Sequence, residues 1–135
     1  MSNNVSALGQ KAKKAAATLA NLDSTAKNEA LLKIAAGLLA NQDRILAVNQ
    51  NEVAKAKADG LRDSLTERLM LNPDRIASMV EGLHAIVRLE DPVGSVEKMW
   101  RRPNGLEIGR VRVPLGVVAI IYEARPNVTV DSTAL

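Results

Sequence analysis

The sequence predicts an α/β protein that has a helical N-terminal part, a β-hairpin and one strand of a parallel sheet. Up to about residue 90, apolar residues recur at three- and four-residue intervals, which is the period of amphipathic helices. From Val96 the spacing shortens to two, as in a strand with one buried face. An unbroken apolar run, Val117 to Tyr122, then indicates a strand covered by helices on both faces. We therefore divide the chain into residues 1–91 (helical), 92–113 (linker and hairpin) and 114–135 (strand, loop and helix start).

The composition excludes several classes of function. Apolar residues make up 47% of the 135 positions, but there is no Phe, one Trp and one Tyr, so the core must be aliphatic. Aromatic stacking on nucleic-acid bases is then hard to supply, and the net charge of +3 comes from interspersed residues rather than a basic block. The chain has no Cys, which excludes disulfides and a cysteine nucleophile within it. We expect no nucleic-acid partner.

No stretch approaches the roughly 18 apolar residues of a membrane span, and the N-terminus lacks the pattern of a signal peptide. We therefore expect a cytoplasmic protein without a membrane partner. His84 is the single histidine and has no second ligand near it in the sequence, so we expect no metal site.

Three helices are predicted before Gly60. The first has an Ala-rich apolar stripe, which we expect to pack in the core because it is too shallow to anchor in a membrane. Asp23 or Ser24 can cap the second helix, and Gly60 ends the third, which covers residues 41–59. The expected inward positions are Val5, Leu8, Ala12, Ala15, Ala16 and Leu19; then Leu31, Leu32, Ile34, Ala35, Leu38 and Leu39; then Ile45, Leu46, Val48, Val53 and Ala56.

Two further helices are predicted between Gly60 and Asp91. Ser64 and Glu67 have the spacing of a capping box for a short fourth helix. Asn72 and Pro73 suit the cap and first position of a fifth. The inward positions of that fifth helix are Ile76, Met79, Val80, Leu83 and Val87.

A β-hairpin is predicted after the helical part, which ends at residues 91–94, Asp-Pro-Val-Gly. Asn104-Gly105 is typical of a two-residue turn, and Gly109 suggests a bulge because the alternation changes register there. Arg110 and Arg112 then point outward. We interpret them as a solvated face, the alternative being a grip on phosphate or nucleic acid.

The loop after Tyr122, residues 123–127, follows the carboxyl end of the predicted parallel strand, where ligand crevices form. The ring of Pro126 fixes the backbone angle φ at that residue, and we expect a helix to start near 128–131. Asn127 could donate to a developing oxyanion or simply cap that helix. Arg125 could bind an anionic substrate in a two-pronged contact, or form a surface ion pair with Glu123. The residues alone leave these alternatives open.

The segment Pro114 to Asp131, P-L-G-V-V-A-I-I-Y-E-A-R-P-N-V-T-V-D, resembles the gamma-glutamyl phosphate reductases (glutamate-5-semialdehyde dehydrogenases) of the aldehyde dehydrogenase superfamily. Upstream segments agree in order: A-D-G-L at 58–61, L-T-E-R-L at 65–69 and D-P-V-G at 91–94. The resemblance thus runs along nearly the whole chain.

The resemblance implies an enzyme of proline biosynthesis that reduces L-glutamate 5-phosphate with NADPH to L-glutamate 5-semialdehyde and phosphate. It implies a cysteine thiolate that attacks the acyl phosphate, a Rossmann-type cofactor domain without a G-x-G-x-x-G loop, and a homo-oligomer that could associate with glutamate 5-kinase. Residues 117–122 correspond to the first strand of that domain, and the hairpin to a ribbon for subunit contacts.

Five site residues follow from the resemblance and the loop chemistry. The expected roles are catalysis for Asn127, substrate binding for Arg125, and cofactor binding for Ile121, Tyr122 and Glu123. The family's catalytic cysteine and remaining cofactor strands have no counterpart in these residues, so we expect an N-terminal piece of a longer reductase that is inactive alone. The alternative is a non-catalytic helical and hairpin assembly module.

Overall fold

The computed structural model describes residues 2–135, with side chains from residue 4 onward. Its elements are α1 (Ser2–Leu19), α2 (Ser24–Ala40), α3 (Gln42–Ala58), α4 (Asp63–Leu69), α5 (Pro73–Val87), β1 (Val96–Arg101), β2 (Glu107–Val111) and α6 (Pro126–Ala134). They form two compact units. One comprises the residues up to Ser24 together with Glu90–Ala119, and the other comprises Thr25–Leu89 together with Ile120–Leu135.

The core of the second unit is built around α5. Four of its five predicted inward residues, Ile76, Met79, Val80 and Leu83, are buried and the fifth, Val87, is half-buried, which confirms the stripe expected from their spacing. Val80 and Leu83 pack with Ala35 of α2, and α6 adds partly buried side chains to the same cluster. Those additional side chains are Val130 and Ala134. Helix α6, which carries the candidate site residue Asn127, is therefore held on α5 by aliphatic packing.

Helix α2 buries only part of its predicted apolar face. Leu31, Ala35 and Leu38 pack in the cluster, but the other three predicted positions are exposed. Those are Leu32, Ile34 and Leu39. The expectation was wrong for them because leucines and isoleucine occur almost all round this helix, whereas one neighbouring helix covers a single stripe.

Helix α3 contacts α4 and α5 and contributes one buried polar residue that the periodicity did not predict. Val53 is buried as expected, whereas Val48 is 55% exposed, contrary to the prediction. Asn49, 6% exposed, lies on the inner face instead. Its Nδ2 donates to the carbonyl of Leu69 at 2.9 Å, and its Oδ1 accepts from the N–H of Leu71 at 2.7 Å. This amide fixes the α4–α5 connection, whose backbone groups lie outside any ladder.

The starts of α4 and α5 differ in how well the sequence predicted them. Helix α4 begins at Asp63, with Arg62 in the cap position, so Ser64 lies inside the first turn and the predicted capping box is wrong. At α5 the prediction is confirmed: the Asn72 side chain accepts from the N–H of Arg75 at 2.8 Å, and Pro73 follows it. Gly60 lies just beyond the end of α3, as expected, and has the left-handed φ of 79° that suits a glycine there.

Helix α1 belongs to the first unit, and its apolar stripe is not buried as predicted. Val5 and Leu8 are exposed, as is Leu19, and only the alanines Ala12 and Ala16 are half-buried. The described residues leave this apolar stripe uncovered. No helix among residues 2–135 combines the length and apolarity needed to span a membrane.

The hairpin forms as predicted, but the position of its register shift and the length of its loop differ from those expected. Strands β1 and β2 pair antiparallel with Met99 opposite Gly109, and the register shift lies between Val96 and Lys98, not at Gly109. A Cβ at Gly109 would lie 2.6 Å from the Met99 sulfur, so its lack of a side chain permits close pairing rather than a bulge. The backbone N–H of Arg102 donates to the carbonyl of Leu106 at 2.8 Å. This bond closes a loop of three residues, whereas a two-residue turn was expected.

The strand predicted over residues 117–122 is not formed within the described residues, where 112–123 have no regular secondary structure. Its side chains are exposed rather than buried on both faces, and Ile121 is 100% exposed. The physical reason is that a strand of a parallel sheet exists only through pairing with its neighbours, and the described residues supply none.

Candidate functional site

The candidate site lies around the start of α6, in the second unit. Helix α6 begins at Pro126, two residues earlier than expected, because proline suits the first helical position where no N–H is needed. Arg125 occupies the cap position without a side-chain capping bond. Ala124, just before it, has a φ of 50°, a left-handed conformation that costs a non-glycine residue about 1 kcal/mol. The chain thus turns sharply between Glu123 and the helix.

Asn127 lies in the first turn of α6, so it is not the helix cap and that alternative is wrong. Its side-chain Nδ2 donates to a carboxylate oxygen of Asp131, one turn further along, at 3.2 Å. Both residues are exposed. Because an amide nitrogen carries two N–H groups, this bond orients Asn127 and leaves a second donor for another acceptor.

A groove of about 530 Å³ opens beside this turn. It is lined by Arg68, Leu71, Arg75, Ser78, Met79, Arg125, Pro126, Asn127 and Asp131. We call it the basic groove, because three arginines but only one carboxylate line it. Two of the residues predicted from the sequence, Arg125 and Asn127, are therefore brought together on one concave surface. Its volume lies within the range of small-ligand sites, about 300–1,000 Å³.

Arg75 is held in place by backbone carbonyls at the end of α4. Its Nη1 donates to the carbonyl of Glu67 at 2.7 Å and to that of Met70. These bonds use one of the three guanidinium nitrogens, so the positive charge is fixed in position while other donors remain. The Met79 side chain, which is buried, and the half-buried Leu71 give the groove an apolar part.

A second groove of about 300 Å³ lies on the α3 side of the same turn. It is lined by Ile45, Val48, Asn49, Glu52, Leu69, Leu71, Tyr122, Arg125 and Pro126. The Tyr122 hydroxyl lies 2.7 Å from the Thr129 hydroxyl of α6, which ties the end of the apolar run to the helix. Tyr122 is thus the one predicted cofactor-binding residue that borders a groove here.

Ile121 and Glu123 do not line either groove, and both side chains are exposed. The described residues alone do not enclose a nicotinamide ring at Ile121, Tyr122 and Glu123, so cofactor binding by these three residues stays a prediction. Within residues 2–135, Glu123 forms no ion pair with Arg125 and no His, Asp and Glu side chains are grouped closely enough to hold a metal ion.

The sequence did not predict that Arg68, Arg75 and Ser78 would border the site. Arg68 and Arg75 looked like ordinary surface positions of two helices, separated from Arg125 by about fifty residues. One local signal was available. The Asn72-Pro73 pattern predicts a helix start, and this start places Arg75 in the first turn of α5. The packing of α6 on α5 is what brings the three arginines around one groove.

No protein-family model matches the chain. Individual relatives do match it: it is 54% identical over 133 residues to the gamma-glutamyl phosphate reductase of Heliobacterium modesticaldum, covering 98% of this chain and 32% of that protein. The reductase of Carboxydothermus hydrogenoformans is 57% identical over 128 residues, covering 95% of this chain and 31% of that protein. The chain therefore spans about a third of the length of these relatives.

Two crystal structures of gamma-glutamyl phosphate reductases have the same fold. The Thermotoga maritima structure matches with a TM-score of 0.89 and 44% identity, covering 93% of this chain and 30% of that one. The Saccharomyces cerevisiae structure matches with a TM-score of 0.88 and 36% identity, over 93% and 32% of the two chains. The predicted resemblance and fold class are confirmed: in sequence and fold, these residues are similar to the N-terminal portion of gamma-glutamyl phosphate reductases.

Proposed function

We propose that the protein takes part in the reduction of L-glutamate 5-phosphate to L-glutamate 5-semialdehyde and phosphate, a step of L-proline biosynthesis that uses NADPH. The observation that carries the proposal is identity above 50% to named reductases over nearly all of these residues. The basic groove supports it, because the substrate is an anion and Arg125 and Asn127 lie on that surface.

The roles that we propose for the two residues follow from their chemistry. Arg125 would bind an anionic group of the substrate through paired N–H donors. Asn127 would donate the N–H that Asp131 does not use to the oxygen that becomes negative when the acyl phosphate is attacked. Asp131 would keep the amide oriented, so that the donor is in place before the charge develops.

These residues supply neither the attacking thiolate nor the reductant. The chain contains no Cys, so the nucleophile implied by the family belongs to another part of the whole protein. NADPH supplies hydride when it is bound. Since Ile121, Tyr122 and Glu123 do not form an enclosing site by themselves, we derive no step through the cofactor.

A chimaera tests the proposal. The 135 residues would be joined to the remaining two thirds of the Heliobacterium modesticaldum reductase, and NADPH oxidation would be followed with L-glutamate 5-phosphate made in situ by glutamate 5-kinase. We expect turnover by the chimaera and none by the 135 residues alone. Turnover by the 135 residues alone would contradict our assignment of the nucleophile to another part of the protein. A folded chimaera without turnover would contradict the proposed function.

The hairpin favours a second candidate, a non-catalytic module that assembles through its ribbon. All residues of β1 and β2 except Ile108 are exposed, and an isolated two-stranded ribbon is marginally stable in water. Its faces therefore suit contact with another subunit, consistent with the homo-oligomer we propose for the whole enzyme. The module predicts a defined oligomer from the 135 residues. Light scattering distinguishes it from a reductase portion, which should associate without a defined stoichiometry.

Two further proposals concern the whole protein. We place it in the cytoplasm, and we propose association with glutamate 5-kinase, which makes the acyl phosphate. A pull-down between purified kinase and the chimaera tests that association. Absence of binding at micromolar concentrations of both proteins would contradict it.

A further inference from the structure

We propose that the basic groove is an anion-binding site in which Arg68 is a second substrate-binding residue beside Arg125, with Arg75 supplying a fixed third charge. The ligand class is a short aliphatic chain with phosphate or carboxylate ends. This inference deepens the proposed function and rests on it for the identity of the natural ligand. Anion binding itself can be measured without turnover.

The first argument is the convergence of charge. Arg68 is in the last turn of α4, Arg75 in the first turn of α5, and Arg125 directly precedes α6. Three separate segments thus each contribute an arginine to the lining of one concave surface, against the single acidic residue Asp131. Like charges around one groove repel each other, and an anion between them removes that cost. Arginine also matches the geometry of phosphate and carboxylate with paired donors.

A purely structural role explains these arginines less well. Arg68 at the end of α4 complements the negative end of the helix dipole, and Arg75 satisfies carbonyls of the same helix. Neither contact accounts for Arg125, which comes from a segment some fifty residues later and makes no capping bond. Local stabilisation does not explain why all three arginines line the same groove.

The second argument is the shape of the groove. Its apolar part, Met79 and Leu71, lies among polar and charged residues, so it suits a ligand with a short methylene chain and anionic ends. Ser78 and Asn127 add a hydroxyl and an amide. L-Glutamate 5-phosphate has these properties, with a carboxylate at one end of its chain and an acyl phosphate at the other.

The test is an NMR titration of the 135-residue chain with inorganic phosphate, and separately with glutarate, at constant ionic strength. We expect the side-chain Nε–H resonances of Arg68 and Arg125 to shift with a common saturation curve, while that of Arg44 stays unchanged. Arg44 is an exposed arginine of α3 that does not line the groove. Stronger binding of phosphate than glutarate assigns the groove to the phosphoryl end, and the reverse assigns it to the carboxylate.

Variants make the test decisive. Arg68→Gln and Arg125→Gln should each weaken binding about three- to tenfold, since the contacts are charge-assisted but exposed to solvent. Arg44→Gln, which removes the same charge elsewhere, should leave binding unchanged. Asp131→Asn should tighten binding about two- to threefold by removing the one opposing charge. A damaged fold cannot produce tighter binding.

Two outcomes overturn the inference: equal weakening by Arg68→Gln and Arg44→Gln, or shifts spread over all arginines. If Arg68→Gln unfolds, Asp131→Asn decides, and unchanged or weaker binding counts against the site. The two proposals fail separately. Phosphate binding at the groove with an inactive chimaera overturns the reductase function alone, and an active chimaera whose Arg68→Gln variant binds phosphate normally overturns the groove alone.

Discussion

The amide of Asn127 donates to the carboxylate of Asp131 at 3.2 Å, one helical turn away on α6. This bond orients the residue that we propose as the oxyanion donor, and it involves two exposed side chains. It therefore contributes little to stability, about 0.2–0.5 kcal/mol for a pair at this spacing. Its effect should be seen in turnover, where the position of a donor matters more than the strength of its bond.

In the chimaera, Asn127→Ala should lower kcat by about 10²–10³, the usual loss when one oxyanion donor is removed. Asp131→Ala should lower it less, by about tenfold, because the amide is still present but less well oriented. NADPH oxidation at saturating substrate measures both. Asn51→Ala, at an exposed position of α3 that lines neither groove, is the control and should have no effect. An Asn127→Ala chimaera with full kcat would remove Asn127 from the mechanism.

Asn49→Ala should lower the free energy of unfolding by about 2–3 kcal/mol. The change removes both bonds that the buried amide makes to Leu69 and Leu71 and leaves those backbone groups without a partner. Urea denaturation followed by circular dichroism measures the loss. Asn51→Ala, an exposed asparagine two positions along the same helix, should change stability by less than about 0.5 kcal/mol. Equal effects of the two variants would show that the buried bonds are unimportant.

Leu83→Ala should destabilise the second unit by about 2–5 kcal/mol, because Leu83 is 1% exposed and its removal leaves a cavity among α2, α5 and α6. Thermal and urea unfolding both report this change. The matched control is Leu39→Ala on the exposed side of α2, with an expected loss below about 1 kcal/mol. A large loss at Leu39 would mean that its side of α2 is covered in solution.

Asn72→Ala should cost about 1 kcal/mol, since the Asn72 oxygen accepts from the N–H of Arg75 at the first turn of α5. Asn72→Asp keeps an acceptor at the same place and should retain most of the stability. The same denaturation experiment distinguishes the two. If Asn72→Asp is as unstable as Asn72→Ala, the capping bond does not explain the effect.

Ile121→Lys should reduce the concentration-dependent light scattering of the 135-residue chain without lowering its melting temperature. Residues 117–122 form an uncharged run with high β propensity, and Ile121 is wholly exposed, so the run can pair with copies of itself. Leu89→Lys, at an exposed position outside the run, is the control and should not change the scattering. Unchanged scattering for Ile121→Lys would place the cause of association elsewhere.

Local patterns in the sequence were enough to predict the helices, the hairpin and the resemblance. The α5 stripe, the Asn72-Pro73 start and the Gly60 stop depend on local periodicity and backbone preferences, which a short window of sequence contains. The string from Ile121 to Asp131 is specific enough to indicate the family. Signals of this kind need no distant partner, and so they could be predicted without a structure.

Which apolar faces are buried, and which charged residues lie close together, depends on contacts between elements that are distant in the chain. Leu39 and Val48 match the helical period as well as Leu83 does, but burial depends on a neighbouring helix that covers only one stripe. The same is true of the strand expected at 117–122, which requires pairing partners. Arg68, Arg75 and Arg125 share one groove because α6 packs on α5, a contact between residues far apart in the chain that no local pattern encodes.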